Sequence, residues 1–261
     1  DRPGGQIRLT AQSHRKKEMI GIIDWRMAEC TAEGVNFRFN TYAEAETVLA
    51  ETPDIVIIAT GGLPNTEILS AGDDLVVSAW DILSGDAKPG RNVLVYDDAG
   101  DHAGMQAAEM IAESGARVEI MTPDRSFAPE VMGMNLVPYM RALQTRDATF
   151  TVTWRVTAVE RAGNQLRAII GSDYGPMRQE RLVDQVVVNH GTLPLDDLYL
   201  ALKPLSSNLG ALDHEALLAN RPQTRIDNPA GRFRLWRIGD AVASRNTHAA
   251  ILDALRLMAV H

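Results

Sequence analysis

The residues best placed to do chemistry lie near the C-terminal end, in "RLWRIGDAVASRNTHAAILDALRL" (234–257). Gly239-Asp240 falls between an apolar strand pattern and an amphipathic helix that begins near Thr247. A carboxylate there can accept hydrogen bonds from sugar or ribityl hydroxyls. Thr247, His248 and Ala249 open the helix, whose free amides and positive dipole end suit a phosphate. The alternative is that Asp240 only caps the turn. A second candidate, Ala59-Thr60-Gly61, ends the strand "PDIVIIATGG" (53–62), and ligands of α/β sheets sit beyond the carboxyl ends of strands. A turn with close chain packing explains this second candidate equally well. The third stretch, Gly4-Gly5-Gln6, reads on residues alone as a turn.

One further strand–turn–helix pattern points the other way. Asp97-Asp98-Ala99-Gly100-Asp101-His102-Ala103-Gly104 stands where a dinucleotide loop would stand, but it keeps only Gly100 and Gly104. Asp97, Asp98 and Asp101 crowd the place of the two phosphates. A working loop needs glycines and a helix start free of negative charge. Gly104 is expected to allow close helix–strand packing. The next strand ends in Thr122-Pro123-Asp124-Arg125, without a carboxylate at its terminus, and Arg125 reads as a solvated loop residue.

Other chemistries lack residues. The histidines show no helical metal-ligand spacing, so no metal site is expected. Cys30 is the single cysteine, which excludes an internal disulfide and a cysteine-held iron–sulfur cluster, and reads as a buried small side chain in a cytoplasmic protein. No nucleophile signature is present, and no catalytic residue is assigned. Val131-Met132-Gly133-Met134 reads mainly as core filling, with docking to a partner as the alternative.

The elements that must position these residues alternate. Val93–Tyr96, Ala103–Ser114 and Val118–Met121 form a strand–helix–strand unit stopped by Gly115. Residues 150–171 alternate about Ala162-Gly163-Asn164 as a hairpin, and 181–194 form a buried strand running into a turn. At 261 residues and 45% hydrophobic content the chain is long enough for two globular domains. A net charge of −8 argues against nucleic acid as partner, and no apolar run reaches the roughly 18 residues of a membrane span. The fold class is α/β, with two Rossmann-like nucleotide-binding domains.

Gly4-Gly5-Gln6, "IVIIATGG", "DDAGDHAGMQAAEMIAESGARVEIMTPDR", "HGTLPLDDLYLALKPLSSN" and "RIGDAVASRNTHAAILDALRL" occur in an order that resembles a known plan. The chain is similar to the C-terminal half of the trimethylamine dehydrogenase, histamine dehydrogenase and 2,4-dienoyl-CoA reductase family, most of all its amine-dehydrogenase branch. The resemblance implies a discontinuous FAD-type domain (1–78 and 205–261) interrupted by an NAD-type domain (79–204) with a degenerate loop. It also implies that the chain starts inside the FAD-type domain, after the G-x-G-x-x-G fingerprint. Gly4, Gly5, Gln6, Ala59, Thr60, Gly61, Gly239, Asp240, Thr247, His248 and Ala249 would contact FAD or ADP, while NAD(P) is not expected. FMN and a 4Fe-4S centre belong to the rest of the parent protein, an amine dehydrogenase or N-demethylase. Its FMN barrel, an electron-transferring flavoprotein and a second copy of the protein are the implied partners. The rival expectations are an NAD(P)H-dependent flavin reductase of the dienoyl-CoA type and a structural or docking domain without catalysis.

Overall fold

A computed structural model describes residues 2–258. In chain order the elements are α1 (Gln6–Thr10), α2 (Ile20–Ala32), α3 (Ala45–Ala50), β1 (Ile55–Ile58), β2 (Gly62–Pro64), β3 (Val77–Ser78) and α4 (Ala79–Ser84). Then come β4 (Asn92–Asp97), α5 (His102–Glu113), β5 (Arg117–Thr122), α6 (Gly133–Gln144), β6 (Thr149–Val152) and β7 (Arg155–Ala162). The remainder is β8 (Gln165–Ser172), β9 (Gly175–Val183), β10 (Gln185–Asn189), β11 (Thr192–Pro194), α7 (Asp197–Leu202), α8 (His214–Leu218), β12 (Arg234–Arg237) and α9 (Thr247–Met258).

The chain divides into two units. One holds Arg38–Leu63 and the residues from Thr192 onward; the other holds Arg2–Phe37 and Pro64–Gly191. These bounds differ from the expected division at 78/79 and 204/205, and residues 2–37 fall into the NAD-type unit. Two local facts account for it. β3 pairs with β10, which draws the chain before residue 79 into that sheet. The segment after α1 is tied to α5, where Arg15 forms a two-pronged ion pair with the buried Glu109 and Gln106 donates to Ser13 Oγ at 3.1 Å.

The NAD-type unit is built on a five-stranded parallel sheet in the order β3-β10-β4-β5-β6. Its central strand explains the continuous apolar run in the sequence. Val93 and Val95 face a core formed with α4, α5 and α6, while Leu94 and Tyr96 face a second core under β7, β8 and β9. A strand covered on both faces has no need of polar alternation. Burying each such side chain contributes about 1.5–3 kcal/mol. The hairpin expected at Gly163-Asn164 is β7–β8, and a third antiparallel strand, β9, joins it. Residues 181–183 close β9, and the buried parallel strand is β10, so the expected single strand over 181–194 is two strands.

The FAD-type unit pairs β1 with β12 in parallel, Ile55 opposite Arg234 through Ile58 opposite Arg237. Val56, Ile58, Leu235, Phe233, Tyr199 and Leu202 form its core. β2 and β11 pair beside it.

Candidate functional site

β1 and β12 run in parallel, so their carboxyl ends deliver Ala59-Thr60-Gly61 and Gly239-Asp240 to the same edge of the FAD-type unit. Ala59 and Thr60 are exposed. Gly61 has φ of 74°, and a Cβ added there would meet nothing within 4 Å, so the backbone at this edge is open to a ligand. Gly62 differs, because its Cβ would strike the Leu193 carbonyl at 2.6 Å; it is glycine so that β2 can pass close to β11. Gly239, with φ of 61°, packs against α9, where a Cβ would lie 3.3 Å from that of Ala250. Its amide donates to Asp253 at 2.9 Å, and Asp253 also receives the Arg245 guanidinium.

Asp240 is half-buried in the single 3-10 turn over Gly239–Ala241. Its carboxylate accepts from the Arg245 amide at 3.2 Å and lies 3.4 Å from Thr192 Oγ1. These contacts orient the carboxylate at the strand end. α9 opens at Thr247 as expected, capped by Asn246, whose Oδ1 accepts from the Ala249 amide at 2.9 Å. His248 is exposed in that first turn. Gly4, Gly5 and Gln6 form the start of α1 in the other unit, with Gly5 at φ 44° and open space around its Cα. Eight of the eleven expected ligand contacts thus belong to one unit and three to the other.

The strand–helix turn of the NAD-type unit is closed by its own side chains. Asp97, 1% exposed, ends β4. Its Oδ1 accepts from the Gly100 amide at 3.0 Å and from Asn189 Nδ2 at 2.8 Å. Asn189 ends β10 and stands opposite Asp97 in the sheet register. The same Asn189 nitrogen donates to Asp101 at 2.9 Å, and Asp101 caps α5 through the Ala103 amide, also at 2.9 Å. Asp98 pairs with His190 at 2.8 Å and Arg155 at 3.2 Å, and Arg155 reaches on to Tyr96 and Asp173. The aspartates therefore neither crowd a phosphate site from outside nor turn into solvent. They are absorbed by the fold. Gly104 serves the same arrangement, since its Cβ would lie 2.6–2.8 Å from the Asp97 carboxyl atoms. Burial and the neighbouring Asp101 push the Asp97 carboxyl up to about 7, against the pull of Asn189 and Gly100. Its second oxygen has no hydrogen-bond partner among the described residues. Burial likewise raises the Tyr96 phenol, and the Asp173 carboxylate holds Arg155 firmly charged.

Asn189 was not singled out in the sequence. Its signal is a polar side chain closing the apolar run "QVVVN", although its partners lie 88 and 92 residues away. Arg15 and Glu109 are tied over 94 residues, with no local pattern to mark them. His14, Glu109 and Glu113 also come together, but both Glu109 oxygens are taken by Arg15. Two packing expectations are corrected. Cys30 is half-exposed on α2. Val131 is buried, but Met132 and Met134 are 73% and 91% exposed, because the chain turns outward at Met132 (φ 65°) to start α6. Arg125 is exposed, as expected.

Two α/β units built on parallel strands, each drawn from two stretches of the chain, give the fold of the FAD/NAD-binding Rossmann-type reductases. No family model matches the sequence. Over 256 residues, 98% of this chain and 38% of the relative, it is 69% identical to a probable N-methylproline demethylase from Rhizobium meliloti (strain 1021). Over 268 residues, 98% of this chain and 39% of the relative, it is 41% identical to an N,N-dimethylglycine/sarcosine dehydrogenase from Chromohalobacter salexigens. The solved histamine dehydrogenase of Rhizobium sp. 4-9 superposes with a TM-score of 0.72 at 21% identity, over 97% of this chain and 38% of that one. The chain belongs to the trimethylamine dehydrogenase and histamine dehydrogenase-like flavoproteins and corresponds to their C-terminal part. It spans under two-fifths of the length of the curated relatives it matches.

Proposed function

We propose that this chain is the nucleotide-binding part of a flavin-dependent oxidoreductase that oxidises an N-methylated amine. The observation that carries this reading is the 69% identity, across 98% of the chain, to a probable N-methylproline demethylase. The relative at 41% identity is named as a dehydrogenase of N,N-dimethylglycine and sarcosine, which are both N-methylated amines. In the intact protein the FAD-type unit holds FAD or ADP. Gly61 gives the open backbone, Asp240 is the acceptor for a sugar hydroxyl, and the first turn of α9 faces a phosphate. The NAD-type unit is a scaffold without NAD(P). FMN in a barrel outside this chain would supply the amine-oxidising chemistry, and a 4Fe-4S centre would supply the electron path to an electron-transferring flavoprotein. The protein works as a homodimer in the cytoplasm.

The test is an anaerobic ultraviolet–visible titration of the intact, purified protein. N-methylproline, sarcosine or dimethylglycine should bleach the flavin band, and NADPH should leave it unchanged. Bleaching by NADPH with none by any N-methyl amine would replace this reading with the flavin reductase one.

A further inference from the structure

We propose that Asp97 and Asp101 are the residues that exclude nicotinamide dinucleotides from the NAD-type unit, by filling the turn that would hold the pyrophosphate and taking up its backbone amides. This rests on the scaffold reading of that unit and gives it a cause. In a strand–turn–helix unit, a pyrophosphate is held by backbone amides of the turn and the first helical residues, helped by the positive end of the helix dipole. Here those amides are already engaged. Gly100 N–H goes to Asp97 and Ala103 N–H goes to Asp101. Asn189 reaches across from β10 and donates to both carboxyls, so one neutral side chain braces two acids at the helix start.

The position of the Asp97 carboxyl is set on three sides. The parallel register places Asn189 opposite it, the missing side chain of Gly104 makes room for it, and the Gly100 amide closes over it. A dinucleotide entering this turn would have to displace a buried, bonded carboxyl and approach a second one. The helix dipole supplies only about half a positive charge, which these groups already use. His102, in the first turn of α5, does not replace the lost amides with positive charge, because burial lowers its pKa and Lys16 adds to the effect.

The experiment compares intact wild-type protein with the double variant Asp97→Gly/Asp101→Ser, which reopens the turn and keeps an uncharged helix cap. NADH is titrated calorimetrically with ADP present at saturation, so that the FAD-type unit does not contribute. Wild type should show no binding up to about 1 mM, and the double variant should bind at about 100 μM or tighter, at least a tenfold gain. Asp97→Ala/Asp101→Ser is measured in parallel, in case glycine loosens β4. Folded variants that still ignore NADH would overturn the proposal while leaving the scaffold reading intact. Binding by wild type at about 100 μM or tighter would instead overturn the scaffold reading itself. Loss of folding in both variants would reassign the two acids to holding the structure and also overturn the proposal.

Discussion

The turn after β4 and the turn after β12 each carry a parallel strand into a twelve-residue helix, and each contains a glycine and at least one aspartate. They treat the helix start differently. After β12, Asp240 is braced by the Arg245 amide and half-buried, Asn246 caps the helix, and the neighbouring strand end at Gly61 is open. After β4, Asp97 is buried against the helix backbone and Asp101 takes the capping amide, with Asn189 binding both. On the proposed reading, the difference teaches that a nucleotide-binding topology can be kept while side chains fill the turn that would hold a pyrophosphate.

Four measurements can break or sharpen this contrast, from the largest effect to the smallest. The first concerns pH. The Asp97 carboxyl titrates near 7 in the folded protein against its ordinary 3.8, so the folded state binds this proton more tightly than the unfolded chain does. Its contribution is therefore fully present below about pH 4 and is lost as pH rises toward 7. The loss is a few kcal/mol, at about 1.4 kcal/mol for each pH unit of displacement. Asp97→Asn should flatten the pH dependence in urea denaturation between about pH 4 and pH 7 relative to wild type. An unchanged slope would mean that Asp97 is not the buried acid. Second, Asp240→Ala in the intact protein should weaken ADP binding by roughly 1.5–3 kcal/mol, the range for a hydrogen bond to a charged group. Unchanged affinity would reduce Asp240 to a turn residue. Third, Gly104→Ala should destabilise by about 1–3 kcal/mol through collision with the Asp97 carboxyl, and adding Asp97→Gly should recover most of it. Fourth, Asp101→Ala should cost about 1 kcal/mol as a lost helix cap, visible as a lower Tm.

Much of the sheet was legible in the sequence because its signal is local. Val93–Tyr96 reads as a buried strand, Gly115 marks the end of α5, and Gly163-Asn164 marks the β7–β8 turn. β9 was missed because "GPMRQERLV" is exposed along most of its length and has no apolar alternation. The strand end at residues 59–61 and the start of α9 were found where expected. The direction taken by the aspartates was not legible. It depends on Asn189 from another strand and on the space left by Gly104, and neither relation can be read from neighbouring residues. The assignment of residues 2–37 was hidden for the same reason, since it rests on contacts such as Arg15 with Glu109.

The most direct test of the contrast is a pair of calorimetric titrations of the intact wild-type protein, stripped of loosely held nucleotide, with ADP and with NADH. The account predicts that ADP binds and that the Asp240→Ala variant binds it more weakly. It also predicts no NADH binding as tight as about 100 μM, which corresponds to roughly −5.5 kcal/mol. NADH binding tighter than that, undisturbed by saturating ADP, would place a working dinucleotide site in the turn after β4 and contradict the account.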